Sequence, residues 1–158
     1  MTRVKAYRIL KRKFLKMAFT GEGARRYGGR WNSPGVAVVY TSSSVALAIL
    51  EWRCHLTQWP APPAVLIELE FDGSMIGAPP KLPANWRTYP TSKANLAVGD
   101  SWALAAKSAV LKVPSATVPD RHQEYNYLLN PAHPDFRLIQ IGKPVPLKLD
   151  LRLGPLAS

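Results

Sequence analysis

Residues 21–35 concentrate the side chains best suited to hold a phosphorylated ligand. Arg25, Arg26 and Arg30 stand with Tyr27 and Trp31 among Gly21, Gly23, Gly28, Gly29 and Gly35. Glycine lets a backbone close around a ligand and present its N–H groups. Arginine brings a planar, permanently charged fork that matches phosphate geometry. An aromatic face accepts a stacked base. The combination predicts a pocket for a nucleotide-like, phosphate-bearing small molecule.

The carboxylate that matters is Glu51, with Leu47, Ala48 and Leu50 within one helical turn of it. Such a carboxylate either points to water or lines a cleft, and the residues alone leave both readings open. The order is suggestive: Arg30 in a loop, Tyr40 at the end of a strand, Glu51 in the helix that follows. All three can then meet around one pocket. Several neighbours have plain structural readings. Arg25 and Arg26 can be solvated loop charges, and Trp31 a core anchor for its loop. Asn126 and Asn130 can satisfy local backbone groups through Asx-type bonds, and His133 can serve a turn.

Other chemistries are disfavoured. His55, His122, His133 and Cys54 show no ligand spacing, so no metal is expected. Gly21 and Gly23 lack the third glycine and the strand–helix context of a dinucleotide fingerprint, and there is no P-loop. Ser115 has no nucleophile-elbow sequence around it.

A chain of 158 residues, 47% hydrophobic, has the size and apolar content of one folded domain spanning residues 1–158. Its longest apolar runs, 36–39 and 45–50, are too short to cross a bilayer, and no apolar leader follows Met1. With a single cysteine, Cys54, the chain reads as cytoplasmic. The formal charge is +11, and ten of the 21 Lys and Arg residues lie in the first 30 positions, against Glu22 alone. Such a field draws anions: nucleic acid, a phosphorylated metabolite or an acidic protein. Lys11, Arg12, Lys13 and Lys16 read equally well as a solvated face.

The positioning elements follow from periodicity. Strands are predicted over 4–10, 36–41, 64–71, 109–113, 125–129, 136–141 and 145–151, and helices over 45–56 and 95–107. Residues 42–44 supply serine caps to the first helix, and Pro60, Pro62 and Pro63 end it. Residues 73–90, rich in proline, form a long connection that can act as a lid. The fold class is α+β, with short mixed or antiparallel strands and two to four helices.

These residues also carry a family resemblance. The chain resembles the RES-domain toxins of bacterial Xre–RES toxin–antitoxin pairs. The similar stretches are Tyr7-Arg8-Ile9, the run from Gly23 to Gly35, Val39-Tyr40-Thr41, and residues 46–51 ending in Glu51. Near the C-terminus come residues 110–116, with Val113-Pro114-Ser115, and 126–134, with Asn130-Pro131 and His133-Pro134. The likeness covers about residues 5–140, leaving a strand and tail over 141–158. It implies a fold like that of ADP-ribosyltransferases and breakage of the nicotinamide–ribose bond of NAD by hydrolysis or phosphorolysis. Some relatives instead transfer ADP-ribose to a protein. It places Arg30, Tyr40, Glu51 and Ser115 at the family's functional positions; beside them, Arg8, Arg26, Tyr27 and Asn126 are the further candidates for binding NAD. It also implies an Xre-type helix-turn-helix antitoxin that occludes the site, DNA contacts only through that partner, and a homodimer within the complex.

The residue chemistry suits such a reaction. Nicotinamide leaves as a neutral molecule from a cationic precursor, so the demand falls on positive charge developing at the ribose. Glu51 can stabilise that charge, hold ribose hydroxyls or orient the acceptor. Arg30, helped by Arg26 or Arg8, can hold the pyrophosphate. Tyr40 or Tyr27 can stack on a base, and Ser115 can bond a phosphate or ribose oxygen. The rival reading is a non-catalytic module that binds nucleic acid through the basic N-terminal third.

Overall fold

The computed structural model describes residues 2–156. Its centre is a long antiparallel pair, β1 (Arg3–Lys11) and β3 (Ala64–Asp72), in register from Arg3 opposite Asp72 to Lys11 opposite Ala64. In β3 the alternation fixes which face turns inward: Val65, Ile67, Leu69 and Phe71 are buried and Glu68 is exposed. On the wet face Arg3 pairs with Glu70 at 3.0 Å and Lys5 with Glu68 at 2.7 Å, both diagonal to their direct partners.

Around this pair the sheet runs β4–β5–β2–β1–β3–β6, with β7 also on β3. Here β2 is Val39–Ser42, β4 Val110–Pro114, β5 Tyr125–Leu129, β6 Gln140–Ile141 and β7 Val145–Leu147. Every strand pairing is antiparallel, with one isolated parallel bridge between Ile76 and Val110. Apolar side chains cover both faces at β5: Tyr127 and Leu129 join Ala6, Val39 and Phe71, while Leu128 joins Trp31, Val38 and Leu111. The α+β architecture is as expected.

Three α-helices lie among the described residues: α1 (Glu22–Tyr27), α2 (Val45–His55) and α3 (Lys93–Ala105). The Ser44 and Ser92 hydroxyls cap α2 and α3 by accepting from the N–H groups of Leu47 and Asn95. In α2, Ala48 packs with Ile9 and Ala64.

Four expectations need correction. The glycine-rich stretch begins as α1, because Glu22, Ala24, Arg25 and Arg26 favour a helix and its glycines serve as Gly21 and Gly28 caps at φ of 72°. The strand expected over 36–41 starts only at Val39, since the Val36 carbonyl is taken by Asn32. Of the strand expected over 136–141 only β6, Gln140–Ile141, forms; residues 136–138 belong to a 3-10 turn, Pro134–Leu138, capped by His133 and favoured by Pro134 at its start. The strand expected over 145–151 ends at Leu147, and the chain turns again at Leu151–Leu153.

The seat of α3 on the glycine-rich loop yields a test. A Cβ at Gly99 would collide with the Trp31 carbonyl oxygen. Alanine normally stabilises a helix interior over glycine by about 0.5–1 kcal/mol. Gly99→Ala is expected to do the opposite, costing about 1–3 kcal/mol through overpacking and lowering Tm by several degrees. A melting curve shifted upward would show that α3 does not bear on this loop.

Candidate active site

Glu51 stands on α2, half-buried, and its position is set from the sheet. Its Oε1 accepts from Ser115 Oγ at 2.6 Å and from Asn126 Nδ2 at 2.7 Å. Ser115 directly follows β4, where Pro114 ends the strand and the Ser115 N–H bonds Glu124 O at 2.8 Å. Asn126 lies on β5, and its Oδ1 accepts from Ser42 Oγ at 2.8 Å. Thr117 completes the set: its N–H reaches Ser115 Oγ at 3.2 Å and its hydroxyl lies 2.7 Å from the same oxygen. The Ser115 proton is directed to Glu51, so the Thr117 hydroxyl is the donor there. The network thus runs inward, Thr117 donating to Ser115 and Ser42 to Asn126, while Ser115 and Asn126 donate to Oε1. Among the described residues no hydrogen bond ends on Oε2.

Glu51 opens onto a cavity of about 150 Å³ together with Tyr7, Arg8, Tyr40, Ser42, Trp52, His55 and Asn126. Arg8 is its cation. The Arg8 Nε bonds Ala18 O at 2.7 Å and Nη1 bonds Tyr40 O at 2.8 Å. Burial pulls this guanidinium down to about 10, which leaves it charged at neutral pH.

Tyr40 lines the cavity, but its hydroxyl is engaged elsewhere. It donates to Asn32 Oδ1 at 2.7 Å and accepts from the Trp31 N–H at 3.1 Å. Burial raises the phenol well above the ordinary tyrosine range; the Trp31 N–H works against the shift, Asp100 and Glu51 add to it, and Arg30 opposes it. A Cβ on Gly29 would meet this hydroxyl at 2.6 Å, so the loop passes Tyr40 only because residue 29 has no side chain.

The other expected residues fall elsewhere. Arg30 does not line the cavity; its Nη1 donates to Trp86 O at 3.0 Å and Thr88 O at 3.1 Å. Arg26 lies on α1 and pairs with Glu22, as does Arg25; hydrogen bonds from Arg25 first and Arg26 second bring that carboxyl down to about 2. Tyr27 is 83% exposed and does not line this cavity. The structure thus brings together Arg8, Tyr40, Glu51 and Asn126, with Ser115 joined through Glu51. Asn126 reaches across strands rather than making a local bond, whereas Asn130 does accept locally from the Ala132 N–H at 3.0 Å. Trp31, 1% exposed, is a core anchor. Sequence reasoning missed Tyr7, Ser42, Trp52 and His55 as cavity residues. His55 had a usable signal, since it sits four residues beyond Glu51 on the same helix face. Among the described residues no group of three His, Cys, Asp or Glu side chains is placed to hold a metal ion. No helix among the described residues is long and apolar enough to cross a membrane.

The Tyr40 phenol has a testable pH signature. Its raised value means the folded protein holds that proton more tightly than the unfolded chain does. This contribution is complete below the unfolded value of about 10 and fades as pH rises above it. Tyr40→Phe is expected to cost roughly 1–3 kcal/mol at neutral pH, because it leaves Asn32 Oδ1 and the Trp31 N–H unpartnered. Denaturant titrations of the two proteins should converge above pH 10. A gap that stays constant to pH 11.5 would contradict the assignment.

Comparison with known proteins places the chain in a family. The RES domain family profile matches residues 5–150. The chain is 38% identical over 151 residues to "Toxin Res" of Yersinia enterocolitica, covering 93% of this chain and 97% of that protein. It is 40% identical over 130 residues to the "Prs ADP-ribosylating toxin" of a Sphingobium species, covering 78% and 79%. The fold is similar to that in the crystal structure of the M. tuberculosis MbcT–MbcA toxin–antitoxin complex, with a TM-score of 0.70 at 18% identity over 93% of this chain and 85% of that one. The profile spans both the Glu51 helix and the strands that hold it, and the chain belongs to the RES-domain family.

Proposed function

We propose that this chain is the toxin of a toxin–antitoxin pair and that it breaks the nicotinamide–ribose bond of NAD, with Glu51 as the catalytic carboxylate. The observation that carries this reading is the fixed Glu51 Oε1, held by Ser115 and Asn126 beside a half-buried Arg8. A carboxylate held this way needs no reorganisation as charge develops opposite it.

In this reaction the bond from ribose C1′ to the pyridinium nitrogen breaks, and its electron pair leaves with nicotinamide, now neutral. Positive charge collects on the ribose. Glu51, tethered through Oε1 and free at Oε2, stabilises that charge. Arg8 holds the pyrophosphate, and Tyr40 and Trp52 wall the space for the ring. A cavity of about 150 Å³ takes one end of the dinucleotide rather than all of it. An acceptor oxygen then bonds C1′ and releases its proton. Water or phosphate as acceptor depletes NAD. A protein side chain as acceptor gives ADP-ribosylation, a second reading supported by the Sphingobium relative's name. Arg30 supports the site through the loop it holds. The fold is shared with a protein solved as a toxin–antitoxin complex, which supports an antitoxin partner. As part of the same proposal, this partner is of Xre helix-turn-helix type, covers the cavity and joins an assembly built on a toxin dimer. NAD as substrate also supports a cytoplasmic location.

The direct test follows nicotinamide released from NAD by the purified protein. Glu51→Gln should lower kcat about 10²–10³-fold, as removing one preorganised electrostatic group does elsewhere. Equal rates in the two proteins would remove Glu51 from its role, and no release by the wild type in any condition would end the reading. Ser115→Ala, losing one of two donors to Oε1, should fall about tenfold. Release only in the presence of added protein, with the adenylate label retained on it, would identify transfer to protein rather than NAD depletion.

A further inference from the structure

Residues 83–90 lie between the loop that carries Arg30 and the loop that carries Ser115, and two arginines act there in series. Arg30 Nη1 bonds the carbonyls of Trp86 and Thr88, the two residues flanking Arg87. Arg87 in turn bonds the carbonyls of Ala116, at 3.1 Å through Nη1, and Val118, at 2.6 Å through Nη2, the two residues flanking Thr117. Its Nε bonds Asp120 Oδ1 at 2.6 Å. The Trp86 ring stacks on Trp31 at 6.0 Å and 25°, and the Arg87 guanidinium lies 4.5 Å from the Trp86 ring centre.

We propose that Arg87 is a positioning residue for Glu51, fixing the Ser115 hydroxyl through the loop of residues 115–120. That loop has no strand or helix of its own between Pro114 and Asp120. Its Ser115 and Thr117 hydroxyls serve Glu51, while the carbonyls between and beyond them are gripped by Arg87. A loop bonded from both sides gives Ser115 Oγ one place to stand. The planar fork is essential, because two carbonyls two residues apart are caught by two nitrogens of one group; a lysine offers only a point charge. The Asp120 side chain is 70% exposed, so its ion pair contributes little and the carbonyl bonds carry the grip.

The kinetic arm of this inference rests on Glu51 acting on NAD. The experiment measures kcat and KM for NAD in the wild type, Arg87→Ala, Arg87→Lys and Asp120→Ala, alongside amide exchange. Both Arg87 variants should lose about tenfold in kcat with KM within about twofold, since the reacting geometry loosens while substrate contacts remain. Exchange at Ser115 and Thr117 should quicken in both, with β5 unchanged. Asp120→Ala should match the wild type. Wild-type kcat in Arg87→Ala, or full activity in Arg87→Lys, overturns the proposal while leaving the Glu51 reading intact. If Arg87→Ala does not fold, Arg87→Lys decides. If the wild type leaves NAD untouched, the Glu51 reading falls, and unchanged exchange at 115–118 in Arg87→Lys would overturn the clamp by itself.

Discussion

The pair of hydrogen bonds onto Glu51 Oε1 is the constraint from which the site follows. A glutamate on the outer part of a helix normally keeps its rotamer freedom and points to water; freezing it costs up to about 2 kcal/mol. Two bonds to an ionised acceptor, each contributing about 1.5–3 kcal/mol, exceed that cost. They also transfer the precision of the sheet to the helix. Asn126 faces Ser42 on β2 and Val113 on β4, and Ser115 stands just beyond Pro114, the partner of Tyr125. A slip of one residue in β5 would turn Asn126 to the other face and put Tyr125 or Tyr127 in its place. The strand register is therefore part of the proposed catalytic geometry.

A second network explains why the glycine-rich run is so dense. Asn32 is fully buried, and its amide nitrogen reaches the carbonyls of Ala24, Ser33 and Val36 while its oxygen takes the Tyr40 hydroxyl. The Arg30 carbonyl is taken by Asn95 Nδ2 at 2.7 Å and the Ser33 N–H by Asp100 at 2.8 Å, both from α3. Loop backbone buried without such partners would cost about 1–3 kcal/mol per group. Here Asn32 and the polar side chains of β2 and α3 satisfy it, and the glycines allow the close approach. The run works as a scaffold: it pins Tyr40, seats α3, and sends Arg30 to the 83–90 segment.

Elements with one strong period were legible in the sequence. β1, β3, β4, β5, α2 and α3 fall within about two residues of their expected limits because alternation or capping marks them. What failed were stretches where a local side chain overrides the period. His133 and Pro134 turn an apolar run into a 3-10 turn, and Asn32 takes the Val36 carbonyl before β2 can begin. The site was legible where it sits on those regular elements, as for Arg8, Tyr40, Glu51 and Asn126. Proximity to the same loop was misleading for Arg26 and Tyr27, because α1 turns them outward. Arg87 left no sequence signal, since its partners are backbone carbonyls that any residue would supply.

The charge distribution narrows what the site can attract. Of the ten N-terminal cations, Arg3 and Lys5 pair with β3 glutamates, and Arg25 and Arg26 with Glu22. Arg30 is occupied by carbonyls. Among the described residues no salt bridge involves Lys11, Arg12, Lys13 or Lys16, so the surplus sits at the end of β1 and on the turn that follows it. A nucleic-acid surface needs many phosphate contacts spread along a groove, and one short turn offers few. Arg8 differs from all of these. Its neighbours are two carbonyl dipoles, and burial penalises its charge. An anion entering the cavity offsets that penalty, so binding there gains more than at an equally charged but hydrated lysine. The same arithmetic favours a small anion able to enter over a polyanion held outside, which is the preference a dinucleotide-cleaving site requires.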